Sequence, residues 1–221
     1  MTAPAEQDVR AVQRRLRADQ GRFVGKPRLP VIDELVATVL SQHTSDANSE
    51  RAFAHLKAVF PTWEQVADAP VEQVADAIRS GGIADQKARR IQQLLAAIEE
   101  REGGLDLSRL HGLDDAAVET YLLSLPGVGP KTAACVLVFS MGRPAFPVDT
   151  HVHRITKRLG WVPANATADR THQILAVAVP PGIKYDLHLA MITHGRTVCR
   201  AQQPRCDTCV LRDLCAYVNR G

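Results

Sequence analysis

Apolar residues recur at helical spacing along almost the whole chain, and this limits the folds open to it. Ile32, Leu35, Val36, Val39 and Leu40 fall at i, i+3, i+4, i+7 and i+8, and Ile91, Leu94, Leu95 and Ile98 repeat the stripe. Sustained alternation of apolar and polar residues with β-branched enrichment is absent, so the pattern predicts an all-α fold. Prolines and glycines cut the stripes at Pro27 and Pro30, Pro61, Pro70, Gly81-Gly82, Gly103-Gly104, Gly112, Pro126 to Pro130, Pro144 to Pro147, Pro163 and Pro180-Pro181-Gly182. That punctuation predicts about ten helices.

At 221 residues the chain suits one large domain or two small ones, with a substantial core. Its first residues, MTAPAEQDVRAVQRRLR, lack the apolar core of a signal peptide, and the apolar run Ala133 to Phe139 is too short to span a bilayer. The expectation is a soluble, intracellular protein, cytoplasmic in a bacterium or nuclear in a eukaryote, without a membrane partner. Charge is unevenly spread: residues 143–221 hold 11 Lys and Arg against 5 Asp and no Glu, or +6, whereas residues 1–142 hold 16 against 19, or −3. A basic C-terminal third suits a polyanionic partner, and equally an ordinary solvated surface.

Four of the five cysteines lie in the last 23 residues as Cys199, Cys206, Cys209 and Cys215, a C-x6-C-x2-C-x5-C arrangement. A Cys-x2-Cys pair can turn two sulfurs toward one centre, and the flanking spacers are long enough to bring the others around it. Disulfides are the alternative, but thiols stay reduced where no export signal directs the chain outward. Zinc and iron–sulfide both accept four thiolates, so spacing leaves the metal open. Cys135, inside AACVLVF, reads as a buried small hydrophobe. Arg196, Arg200, Arg205 and Arg212 crowd the cysteines, either to offset an anionic centre and meet phosphate or simply as solvated arginines.

The sharpest turn is LPGVGPKT, Leu125 to Thr132. Ala116 to Leu123 forms a helix, Pro126 to Gly129 must turn, and Pro130 suits the first position of the next helix, giving a helix-hairpin-helix. Gly127 and Gly129 permit positive φ and, with Val128, expose backbone N–H groups beside the positive end of a helix dipole, a seat for phosphate oxygen. Lys131 then falls in the first helical turn, where the dipole disfavours a cation and favours a free amine; a simple phosphate contact is the other reading. Downstream, in VDTHVHR, Asp149 follows a proline-bounded loop and is placed to cap a helix. A carboxylate and an uncharged amine in one cleft form a pair able to attack an electrophilic carbon and manage its charge. Gly81-Gly82-Ile83 leads into a helix bearing Lys87, Arg89 and Arg90 much as the hairpin leads into Lys131, although the likeness is too short for a repeat.

Taken together, LPGVGPKTA, VDTHVHR, and HGRTVC continuing into the four-cysteine pattern resemble the endonuclease III family of DNA glycosylases, within the helix-hairpin-helix glycosylase superfamily, from about Leu29 to Cys215. The 18-residue interval from Lys131 to Asp149 also resembles that of the family. The resemblance implies two helical domains flanking a DNA-binding cleft: a six-helix barrel with the hairpin over residues 29–142, and a domain of residues 1–28 plus 143–221 holding a [4Fe-4S] cluster. It is this resemblance that selects iron and sulfide, with Cys199, Cys206, Cys209 and Cys215 as ligands.

The implied chemistry is excision of oxidised pyrimidines from damaged double-stranded DNA by a monomer. The base leaves the stack, Lys131 attacks C1′ to form a Schiff base, β-elimination breaks the strand, and Asp149 assists deprotonation or stabilises developing charge. The related adenine glycosylases generally lack this lysine, so Lys131 argues for a bifunctional glycosylase and AP lyase over a monofunctional relative or a non-catalytic DNA-binding module. Gln42 and His43, in LSQHTSD, compete for the place of a family glutamine that fills the gap left by the flipped base. Ile83 matches an apolar wedge inserted opposite the lesion, or else is a loop anchor. His151, Arg154 and Arg200 complete the expected DNA contacts alongside Gly127, Val128 and Gly129.

Overall fold

The structure is a computed structural model that describes residues 3–23 and 29–219. Among these residues there are twelve α-helices and no strand. They are α1 (Glu6–Gln20), α2 (Val31–Leu40), α3 (Asp46–Val59), α4 (Trp63–Asp68), α5 (Val71–Ala77), α6 (Ala84–Glu102), α7 (Asp115–Leu123), α8 (Pro130–Cys135), α9 (Thr150–Leu159), α10 (Ala168–Ala178), α11 (Lys184–Thr197) and α12 (Ala216–Asn219). Side-chain caps start many of them: Ser45 for α3, Asp114 for α7, Asp149 for α9, Thr167 for α10, and a reciprocal Thr62–Gln65 capping box for α4. Gly103 and Gly160 end α6 and α9 at φ 72° and 79°.

The chain divides into two compact units, one of residues 28–143 and one that joins residues 1–27 to 144–221. In the first, α2 packs against α3, α6 and α8, and α6 also against α4 and α5. The stripes of α2 and α6 form its core: Leu35, Val36, Leu40, Ile91, Leu94, Leu95 and Ile98 are all buried. After α8 the backbone widens into a π-helical turn, Val136–Ser140, where Met141 N–H donates to Val136 O at 3.0 Å. Ser140 Oγ donates to Leu29 O at 2.8 Å, so the turn also anchors the start of this unit.

In the second unit, α1 and α9 pack on α11, and α10 and α12 on α9. Val9, Val12 and Leu16 of α1 share a core with Val152, Ile155, Leu187 and Met191, and Cys199, Cys209 and Cys215 lie against its edge. No helix among the described residues is long and apolar enough to cross a membrane.

Candidate functional site

The hairpin forms as its residues require, with two differences from expectation. Gly127 sits at φ +75°, and a Cβ there would lie 3.0 Å from Cδ and Nε of Arg90, so glycine is demanded by conformation and by space. Gly129 is instead extended, at φ −101° and ψ −179°; it caps α8 and has open space where a side chain would be. Its value lies in leaving the backbone bare, not in a left-handed turn. Val128 faces inward, 7% exposed, and its N–H closes the turn on Leu125 O at 3.2 Å, so it offers neither side chain nor amide to a strand. Pro130 begins α8 as expected, and Lys131 follows half-buried in the first turn.

Around this hairpin the unit of residues 28–143 gathers groups that sequence patterns do not single out. Arg90 reaches from α6 over Gly127 and donates from Nη1 to Gln42 Oε1 at 2.7 Å. Gln42 is thereby held, while its neighbour His43 is exposed at φ +54°. Ile83 is 49% exposed, also left-handed at φ +50°, and opens α6. For a β-branched residue that conformation costs about 1–2 kcal/mol, which the surroundings must offset. Glu34, in the first turn of α2, is half-buried and accepts from Thr38 Oγ1 at 3.2 Å. Burial pushes its carboxyl up to about 7, against the opposing pull of the Thr38 hydroxyl and the positive charge of Lys131. A carboxyl that changes charge near neutrality beside this lysine is a functional candidate missed in the sequence, because an acidic residue in a first helical turn has an ordinary explanation in the helix dipole.

In the other unit, Asp149 caps α9, its Oδ1 accepting from Val152 N–H at 2.8 Å. Two residues on, the His151 ring lies against α11, where a Cβ on Gly195 would come within 2.6 Å of Nδ1. Arg154 Nη2 meets the same Nδ1 at 3.0 Å. Burial, foremost, holds the His151 pKa below the ordinary histidine value. Arg154 also donates to Gly195 O and Cys199 O, both at 2.9 Å, so its guanidinium faces the protein interior and ties α9 to the cysteine loop.

All four clustered cysteines line one half-open hollow, together with Arg158, Arg205, Arg212 and Tyr217. No three His, Cys, Asp or Glu side chains among the described residues gather closely enough to hold a single ion. Arg158, not among the arginines that sequence proximity suggests, makes the closest cationic contact: Nη1 lies 3.2 Å from Cys199 Sγ and donates to Arg200 O at 2.7 Å, and Nη2 donates to Ala201 O at 3.0 Å. Arg200 itself is exposed, and Arg212 pairs with Asp207 at 2.6 Å. Cys135 is buried in α8, as a small hydrophobe. Lys131 belongs to the unit of residues 28–143 and Asp149 to the other.

Residues 36–181 match the sequence pattern of the HhH-GPD superfamily of base excision DNA repair proteins, and the chain belongs to that superfamily. Among its relatives it is similar to Endonuclease III of Thermotoga maritima, 39% identical over 186 residues that cover 84% of this chain and 83% of that one. A candidate DNA glycosylase of Arabidopsis thaliana is 45% identical over 166 residues, 75% of this chain, and the chain spans 57% of that relative's length. The fold matches a solved structure described as a trapped endonuclease III–DNA covalent intermediate, an estranged-adenine complex, with a TM-score of 0.83 and 30% identity over 98% of each chain.

Proposed function

We propose that the chain is a DNA glycosylase with AP lyase activity that removes oxidised pyrimidines from duplex DNA. The observation carrying this reading is Lys131, half-buried in the first turn of the helix that follows the hairpin. A hairpin that only bound phosphate would work as well with its lysine on the solvent side of a later turn. The solved relative trapped as a covalent intermediate with DNA supports a covalent route in that protein.

In this reading the neutral Lys131 Nζ attacks C1′ of a flipped nucleotide, and the C1′–N glycosidic bond breaks as the base leaves with the bonding pair and takes a proton. Opening of the sugar ring gives a protonated Schiff base. Loss of a C2′ proton then expels the 3′ phosphate by β-elimination, and water returns the lysine. Asp149, held by its cap bond to Val152 N–H, supplies a carboxylate that accepts the lysine proton or stabilises positive charge on the sugar. Residues 29–142 act as the barrel that carries the hairpin, and residues 1–28 with 143–221 as the cysteine domain of a monomeric enzyme.

Cys199, Cys206, Cys209 and Cys215 would hold a [4Fe-4S] cluster, and a hollow ringed by four thiols suits a group of several atoms. Such a cluster supplies a compact anionic cross-link for the loop; Arg158 beside Cys199 Sγ would offset its charge. A brown protein with visible charge-transfer absorption supports iron and sulfide, and a colourless zinc-loaded protein refutes them.

The deciding experiment is borohydride trapping on a duplex with an abasic site. Wild type is expected to form a covalent adduct and Lys131→Ala none. Equal trapping by both proteins refutes the assignment.

A further inference from the structure

Lys87 is the one lysine of α6, 5% exposed in the core of the residue 28–143 unit, and it makes three connections to the two turns nearest it. Its backbone N–H donates to Ile83 O at 3.1 Å. Its Nζ donates to Gly81 O at 2.8 Å and to Leu40 O at 2.7 Å. Leu40 is the last residue of α2, and three positions on stands His43, exposed and left-handed at φ +54°. Gly81 closes the turn that leads through Gly82, at φ +70°, to Ile83, which is also exposed and left-handed.

Apart from Gln203 at φ +48°, these are the only non-glycine residues with positive φ among the described residues. Conformations of this kind persist where the surroundings over-determine them. A buried ammonium with two carbonyl acceptors does so in a way an apolar side chain cannot. It satisfies the open C-terminal carbonyl of α2 and a carbonyl of the neighbouring turn from one atom, fixing the distance between them. An ammonium this enclosed is costly to place, so its presence where leucine or methionine would pack more cheaply needs a cause.

We propose that Lys87 is a positioning residue: through its two carbonyl bonds it holds His43 and Ile83 at a set separation, so that both meet duplex DNA as one preformed edge. The inference rests on the DNA reading above. Arg90, one turn along α6, extends the arrangement by fixing Gln42 and covering Gly127, so the first half of α6 braces three exposed loops.

The test uses full-length protein and two abasic-site probes, a duplex and a single strand, with borohydride trapping rates as the readout. The single strand has no partner strand for the edge to meet. Lys87→Met, which removes both carbonyl bonds at similar volume, is expected to slow duplex trapping 10- to 100-fold and to leave single-strand trapping within twofold. Adding Ile83→Ala should cause little further loss in that background, although Ile83→Ala alone slows duplex trapping. Equal loss on both probes, no loss on either, or full additivity of the two substitutions overturns the proposal. Where Lys87→Met does not fold, Lys87→Gln, a shorter neutral donor, takes its place with the same outcomes. If neither folds, the role is structural and the proposal fails. Absence of trapping by wild type on either probe would instead refute the lyase reading.

Discussion

Glu34 gives the most quantitative expectation. Its carboxyl is pushed from an ordinary 4.5 to about 7, with burial as the leading cause. Folding therefore favours the neutral form. The associated stability is fully present below about pH 4.5, is lost as pH rises toward 7, and stays lost above that. A rise of this size corresponds to at most about 3 kcal/mol across the window. Glu34→Gln keeps the shape and an oxygen for the Thr38 hydroxyl but cannot ionise. The variant should match wild type at pH 4.5 and be more stable by up to about 3 kcal/mol at pH 8. Urea denaturation at the two pH values measures this. Trp63 is a suitable reporter, because its Nε1 donates to Asp33 Oδ1 on α2 at 2.7 Å, and a shared Trp161→Phe background silences the other tryptophan. A stability difference that is the same at both pH values refutes the argument, since only a pH-dependent difference reports the charge.

Three further expectations follow from close contacts and charge. Gly195→Ala should destabilise the protein by about 1–3 kcal/mol in thermal unfolding, because the new methyl would meet the His151 ring and push α9 from α11. Gly127→Ala should lower stability by about 1–2 kcal/mol and weaken duplex binding in a fluorescence titration, since φ +75° is unfavourable to alanine and Arg90 occupies the space. Binding to undamaged duplex should fall steeply as salt rises, with log affinity linear in log salt; a flat response would contradict phosphate-dominated contact.

Much of the helical framework was legible because it depends on neighbours in sequence. The stripes of α2 and α6, Pro130 at a helix start, Asp149 as a cap and Gly127 in a left-handed turn all follow from local rules. The π-helical turn at Val136–Ser140 escaped, since an evenly apolar run gives no sign of an added residue per turn. The conformation of Gly129 is not fixed by sequence, because glycine permits positive φ without requiring it, and the cap position it occupies is extended. Arg154 reads as a surface cation in VDTHVHR but points inward, because its acceptors Gly195 O and Cys199 O come from more than 40 residues away. Lys87, Arg90, Arg158 and Glu34 share that cause: each acquires its role from partners or burial that only the folded chain supplies.

The unit that joins the two ends of the chain has a consequence during synthesis. Val9, Val12 and Leu16 of α1 are finished early, yet the α11 surface that buries them begins at Lys184, and Arg15 finds Val210 O and Asp213 later still. At ribosomal rates the nascent chain waits roughly 10–30 s with this apolar face uncovered. The central unit, whose residues are contiguous, can close during that interval. Loss of the last ten residues would therefore remove Cys215 from the cysteine loop and also reach the opposite end, leaving α1 without its tie at Asp213.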